Sequence, residues 1–154
     1  VIAAGAGLGQ TCWMTPYDDT NIFARILRGE IPCFKIHESA QVLSFMDIMP
    51  RAPGHCLVIP KAPARNLLDV SPEALQHVME AARRIAIAAK TALKADGITL
   101  QQFSESAGGQ EVFHLHVHIL PRFEGQRLLS HPAPRGDMAV LAEQARAISA
   151  ALAA

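Results

Sequence analysis

The chain has 154 residues, half of them hydrophobic and 18% charged, which suits one folded domain with one core and excludes a disordered segment. Fourteen Lys and Arg balance fourteen Asp and Glu, so the formal net charge is zero. That excludes a polybasic nucleic-acid surface, leaves any anionic ligand to a local site, and weakly favours self-association.

The opening stretch VIAAGAGLGQTCW (1–13) is mildly apolar but lacks a basic flank, so it does not read as a signal peptide. It is set apart from the fold as an extension, an over-long start or an expression remnant, with Met14 a natural initiator. Cys12, Cys33 and Cys56 are odd in number and share no CxxC spacing, which points to reduced thiols in a cytoplasmic protein. Cys56 is expected as a small buried hydrophobe. No apolar run approaches the length of a membrane span.

Asn21 is placed to cap a short helix over 21–29, with Ile22, Phe23, Ile26 and Leu27 at helical spacing and Gly29 as its stop. CFKIHES (33–39) and VLSFMDI (42–48) predict an antiparallel hairpin. PRAPG (50–54) is turn chemistry, and HCLVIP (55–60) is apolar enough for a central strand. After a loop or broken helix over 61–70, Ser71, Pro72 and Glu73 open a long helix that Gly97 ends. Leu75, Val78, Met79, Ala82, Ile85, Ala89 and Leu93 form its buried stripe; Arg83, Arg84, Lys90 and Lys94 form a solvated face, and His77 is read as surface. ITLQQFS (98–104) predicts a strand, SAGGQE (106–111) a glycine-containing loop, and VFHLHVHILP (112–121) an alternating strand. A Pro-rich linker (131–137) leads to a last helix capped by Asp137, with Met138, Leu141, Ala145, Ile148 and Leu152 as its stripe. This order predicts an α+β domain with a mainly antiparallel sheet.

His114, His116 and His118 alternate with Leu115, Val117 and Ile119. In a strand, alternate residues share a face about 7 Å apart, so the imidazole face must meet solvent, a ligand or a partner. Three readings are open. The repeat is an accident of composition. Or two neighbouring histidines hold zinc, although the outer pair, about 13 Å apart, makes one ion for all three difficult. Or the imidazoles do phosphoryl chemistry, one as nucleophile and its partners, cationic near neutral pH, steadying charge and passing a proton. The loop of Ala107, Gly108, Gly109 and Gln110 just ahead can present backbone N–H groups to phosphate, which favours the third reading.

GGQEVFHLHVHILPR (108–122) resembles the signature of the histidine triad, or HIT, family. NIFARILRGEIPC (21–33) and SFMDIMPRAPGHCLVIPK (44–61) resemble its N-terminal helix and nucleotide-side hairpin, so the likeness runs from about residue 17 to 123. The Hint-like branch, with a bacterial flavour, is the nearest in pattern. The resemblance implies an α+β HIT-like fold: a five-stranded, mainly antiparallel sheet with one long and one or two shorter helices, two protomers joining into a continuous sheet. It implies a HIT domain over 14–125, with 126–154 a linker and a helix that packs on the domain or on a dimer partner.

The implied chemistry is transfer or hydrolysis at the α-phosphate of a purine nucleotide derivative. His116 is the implied nucleophile; His118 contacts the phosphate, His114 orders the site and His55 supports the triad. Phe23, Ile26 and Phe45 form the base wall, while Asp47, with Ile48 beside it, takes the ribose. Gly109, Gln110 and Glu111 contact phosphate. No cofactor, metal, nucleic acid or membrane is expected, and a cytoplasmic homodimer is. Pro63, Ser104 and Glu111 depart from the family pattern. They replace a further histidine, an Asn that contacts the sugar-phosphate, and a Ser or Thr. A Glu carboxylate cannot donate to phosphate, although its backbone N–H can. Nucleoside phosphoramidates are the implied substrates; dinucleoside polyphosphates, as in Fhit-like relatives, or a binding module with little catalysis are the alternatives.

Overall fold

A computed structural model describes residues 15–154; the extension 1–13 with its Cys12, and Met14, lie outside the described residues. Helix α1 (Ile22–Leu27) begins where Asn21 Oδ1 accepts the free N–H groups of Phe23 and Ala24, each at 3.0 Å. Strands β1 (Lys35–Glu38) and β2 (Val42–Met46) form the expected hairpin, with a bulge between Lys35 and His37. Strand β3 (Cys56–Pro60) precedes helix α2 (Pro72–Leu93), which Ser71 caps. Strand β4 (Gly97–Gln101), a 3-10 turn (Ser106–Gly108), strand β5 (Val117–Arg122) and helix α3 (Met138–Ala153) complete the chain. The strands form one antiparallel sheet in the order β1-β2-β3-β5-β4, the five-stranded HIT-like arrangement expected.

Alternation along the strands divides the core in two. Val42, Met46, Cys56, Val58, Val117 and Ile119 face α2 and α3; Leu43, Phe45, Leu57 and Ile59 face α1. Strand β3 is buried on both faces, which is why its sequence is apolar throughout. Val78, Ile85 and Ile148 are wholly buried against the sheet, each worth about 1.5–3 kcal/mol. Helix α3 packs on its own domain, with Leu141, Ala145 and Ile148 in the same core as α2. None of the described helices is long and apolar enough to cross a membrane. Cys33 and Cys56 are free thiols. Burial pushes Cys56 up to about 12, as fits an inert core residue.

Four local expectations change. Met79 and Met138 are exposed, because their neighbours Val78 and Leu141 hold the core-facing positions. Helix α2 ends at Lys94, whose left-handed backbone (φ 53°) closes the last turn, and Gly97 instead starts β4. Strand β4 stops at Gln101, short of the expected 104. Strand β5 begins only at Val117, so His114 and His116 precede it.

The turn between β2 and β3 needs its glycine. Gly54 has φ +80°, and a Cβ there would lie 2.1 Å from Leu93 Cδ1. This close fit delivers His55 to the start of β3.

Candidate active site

His118 stands on β5 opposite Leu57 of β3 and Gln101 of β4, on the face away from α2. The chain before it loses its strand partner. Leu115 N–H donates to Ala64 O at 2.8 Å, and the segment 112–116 passes beneath the 60–66 loop. Two of the three imidazoles are therefore buried, His114 fully and His116 at 7% exposed, while His118 is half-buried. Their rings stay together, with His116 and His118 centroids 4.9 Å apart.

Each ring's hydrogen-bond partners assign its tautomer. His116 Nδ1 lies 2.7 Å from His114 O, which only accepts, so Nδ1 carries the proton and Nε2 keeps a lone pair. His114 Nε2 donates to Pro60 O at 2.9 Å, leaving Nδ1 to accept from Tyr17 Oη at 2.6 Å. Tyr17 Oη in turn accepts from Asn21 Nδ2 at 3.1 Å, tying the ring to the α1 cap. His55 Nδ1 accepts from Arg51 N–H at 3.1 Å, so its Nε2–H is the donor to His118 Nδ1 at 2.9 Å. That leaves His118 with its proton on Nε2.

Burial holds all four imidazoles below their ordinary titration range. His114 falls to about 4, and His55, His116 and His118 shift the same way. Neighbouring imidazoles reinforce the effect for His55, His114 and His118, as does Arg51 for His55 and His118. The partner histidines, read as able to be cationic near neutral pH, are thus pushed toward the neutral form by desolvation.

His116 and His118 line a cleft of about 500 Å³. Phe23, Ile26, Phe45, Asp47, Ile48, Gly109 and Glu111 share its walls. Phe23 sits edge-on to both Phe45 and His116, with centroids 5.6 and 5.0 Å away. Asp47 combines a turn role with a cleft position. Its Oδ1 accepts from Met49 N–H at 2.8 Å, and its Oδ2 lies 3.5 Å from His55 Nε2. Burial raises the Asp47 carboxyl, against the Met49 bond. Among the described residues, Asp47, His55 and His118 bring one potential metal-donor atom each within 4.8 Å of one another. The motif's own three histidines do not make such a set.

Four expected residues stand outside the cleft lining. His55 and His114 lie behind it, as supports. Ser104 donates to Gln102 Oε1 at 3.1 Å. Gln110 is buried, and its amide is fully used: Oε1 accepts from Glu105 N and Asn66 Nδ2, and Nε2 donates to Arg65 O and Val112 O. Gln110 is therefore a clamp on the glycine loop, without a free group for phosphate. Arg65 completes the clamp with a two-pronged bond to Glu105 (3.0 and 2.9 Å) and its guanidinium 3.9 Å from the Phe113 ring centroid.

The sequence reading missed Phe103, Arg51 and His131 in the cleft wall. Phe103 follows the end of β4 and meets His118 edge-on at 5.6 Å. His131 arrives from the Pro-rich linker, and its Nδ1 lies 3.3 Å from Glu111 Oε1. Strand β4 ends at Gln101, opposite His118, which puts Phe103 just past that end beside the histidine; nothing local in the sequence marks His131.

The HIT domain family model matches residues 28–125. A 13.2 kDa HIT-like protein of Azospirillum brasilense is 42% identical over 114 residues, covering 73% of this chain and 91% of its own. A Hit-like protein from Bartonella henselae shares the fold with a TM-score of 0.85 at 50% identity, over 89% of this chain and 99% of its own. A histidine triad nucleotide-binding protein from Sulfolobus tokodaii does so with a TM-score of 0.79 at 27% identity, over 85% and 91%.

Proposed function

The chain belongs to the HIT family, and from that premise we propose that it is a nucleotide hydrolase or nucleotidyl transferase acting at the α-phosphate of purine nucleoside phosphoramidates or related nucleotides. One observation carries the reading: the His114 carbonyl fixes the His116 proton on Nδ1, leaving Nε2 free as a nucleophile in the cleft wall. The purine lies against Phe23, Ile26 and Phe45, and the ribose reaches Asp47. His118 Nε2–H donates to a phosphoryl oxygen.

His116 Nε2 attacks the α-phosphorus in line. An N–P bond forms as the bond to the leaving amine or phosphate breaks, and that group departs with the electron pair and takes a proton from water at the open mouth. Water then attacks the phosphorus and gives up a proton that neutralises the hydroxide left by the first step; the N–P bond breaks, its electron pair returns to Nε2, and the nucleoside monophosphate leaves. Turnover of a panel holding adenosine monophosphoramidate, dinucleoside polyphosphates and their guanosine counterparts tests the reading. Release of the nucleoside monophosphate supports it, and tight binding without turnover supports a binding module instead.

A homodimer built through β4 accompanies this reading. Strand β4 is a sheet edge, and its Leu100, on the helix-facing side, is 43% exposed. A second copy pairing antiparallel there would continue the sheet and cover that side chain. The free thiols of Cys33 and Cys56 support a reducing, cytoplasmic setting.

A further inference from the structure

The segment 126–136 brings His131 into the cleft wall and is pinned on both sides of it. Before it, Leu129 N donates to Arg51 O and Arg51 Nε returns a bond to Leu129 O, each at 2.9 Å. After it, Gly136 N donates to Ile48 O at 2.9 Å. A Cβ at Gly136 would stand 3.0 Å from Pro50, so the absence of a side chain lets the segment lie against the loop. Two anchors seven residues apart, with Pro132 and Pro134 between them, set His131 in the cleft wall.

There it meets Glu111, which follows the glycine loop. The two side chains are 49% and 67% exposed, so the contact is weak and readily exchanged. Both side chains line the same cleft as His116 and His118. Arg51 also lines the cleft, but its Nε and one terminal nitrogen are held by Leu129 O and Gln101 Oε1. His131, in contact with Glu111 of the glycine loop, is thus a side-chain donor on the side of the cleft where that loop would meet phosphate.

We propose that His131 is a specificity-determining residue that donates to an oxygen of a phosphate-bearing leaving group, exchanging its contact with Glu111 for one with the substrate. The inference rests on the nucleotidyl-transfer reading and names the residue that reads the leaving group. Glu111 then acts as a resting partner that also repels the incoming phosphate.

The test is calorimetric binding of AMP and of the methylene analogue of ADP, whose P–C–P link resists cleavage. His131→Ala is expected to weaken the analogue about tenfold and AMP less than twofold. His131→Gln, which keeps a donor, should recover part of the loss, and Glu111→Gln should tighten the analogue. Equal weakening of both nucleotides, no weakening of either, or a weaker analogue in Glu111→Gln overturns the assignment. Melting temperatures of the variants separate misfolding from lost contact. A wild-type protein that binds neither nucleotide contradicts the nucleotidyl-transfer reading itself. One that binds both without needing His131 contradicts only the leaving-group role.

Discussion

The Nδ1–H of His116 donates to the backbone carbonyl of His114 at 2.7 Å. This bond joins two members of the motif through main chain, and it sets which nitrogen of His116 is free to attack. The two imidazoles therefore have unlike tasks. His114 turns its own ring to Pro60 and Tyr17 and offers its carbonyl, while His116 offers a lone pair.

The same logic runs through His55. Its Nδ1 is occupied by Arg51 N–H, so its Nε2–H keeps the His118 proton on the cleft side. His55→Ala removes that control and leaves Arg51 N–H without its acceptor. We expect kcat to fall about tenfold, the worth of one buried hydrogen bond, with KM changed less. Nitrogen-15 shifts of His118 should report a mixture of tautomers. An unchanged single tautomer would show that His55 only fills space.

Gln110 supplies a stability test. Gln110→Ala strips partners from Glu105 N–H, the Asn66 amide and the carbonyls of Arg65 and Val112. Chemical denaturation should show a loss of roughly 3 kcal/mol, several buried hydrogen bonds being broken at once. Gln110→Glu should be no better, since a carboxylate cannot donate to the two carbonyls. A near-neutral result for Gln110→Ala would return this residue to the phosphate-binding role.

Acid should destabilise the protein. The imidazoles of His55, His114, His116 and His118 titrate lower in the folded chain than at their ordinary 6.5. Below that value the unfolded chain takes up more protons, so stability is complete above about pH 6.5 and falls with pH through the window down to the folded values. Each imidazole contributes on the order of 1 kcal/mol per pH unit in that window. Denaturation midpoints measured from pH 8 to 5 should decline below 6.5. Turnover should not lose rate to His116 protonation between pH 8 and 6.5. Stability that rises on acidification would contradict the neutral cluster.

The proposed dimer puts Leu100 in an interface. Leu100→Asp should shift sedimentation from dimer to monomer while leaving the monomer folded, because this side chain is exposed in the single chain. A wild-type monomer at working concentrations, or a variant that still dimerises fully, would rule out pairing through β4.

Much of the fold is local and was therefore legible. Asn21, Ser71 and Asp137 cap the helices they precede, and the alternation of 42–46 and 117–122 matches two faces that are covered differently. The start of β5 was not legible. Leu115, Val117 and Ile119 are all buried, so the pattern runs on unbroken, but pairing needs a neighbour, and β3 offers none before Val117. Gln110 and His131 failed to show for the same reason. A glutamine in a glycine loop reads as a ligand contact until the 65–66 segment is seen to consume its hydrogen bonds. A histidine in a Pro-rich linker reads as surface until Arg51 and Ile48 are seen to anchor the chain on either side of it.

The central claim is that His116 Nε2 attacks the α-phosphorus. Brief reaction with adenosine monophosphoramidate radiolabelled at phosphorus, followed by denaturing quench and peptide mapping by mass spectrometry, tests it most directly. The account predicts an acid-labile adenylyl group on the peptide holding His116, on Nε2 of that ring, and no label in His116→Asn. Release of AMP with no covalent adduct at any quench time, or full turnover by His116→Asn, would contradict it.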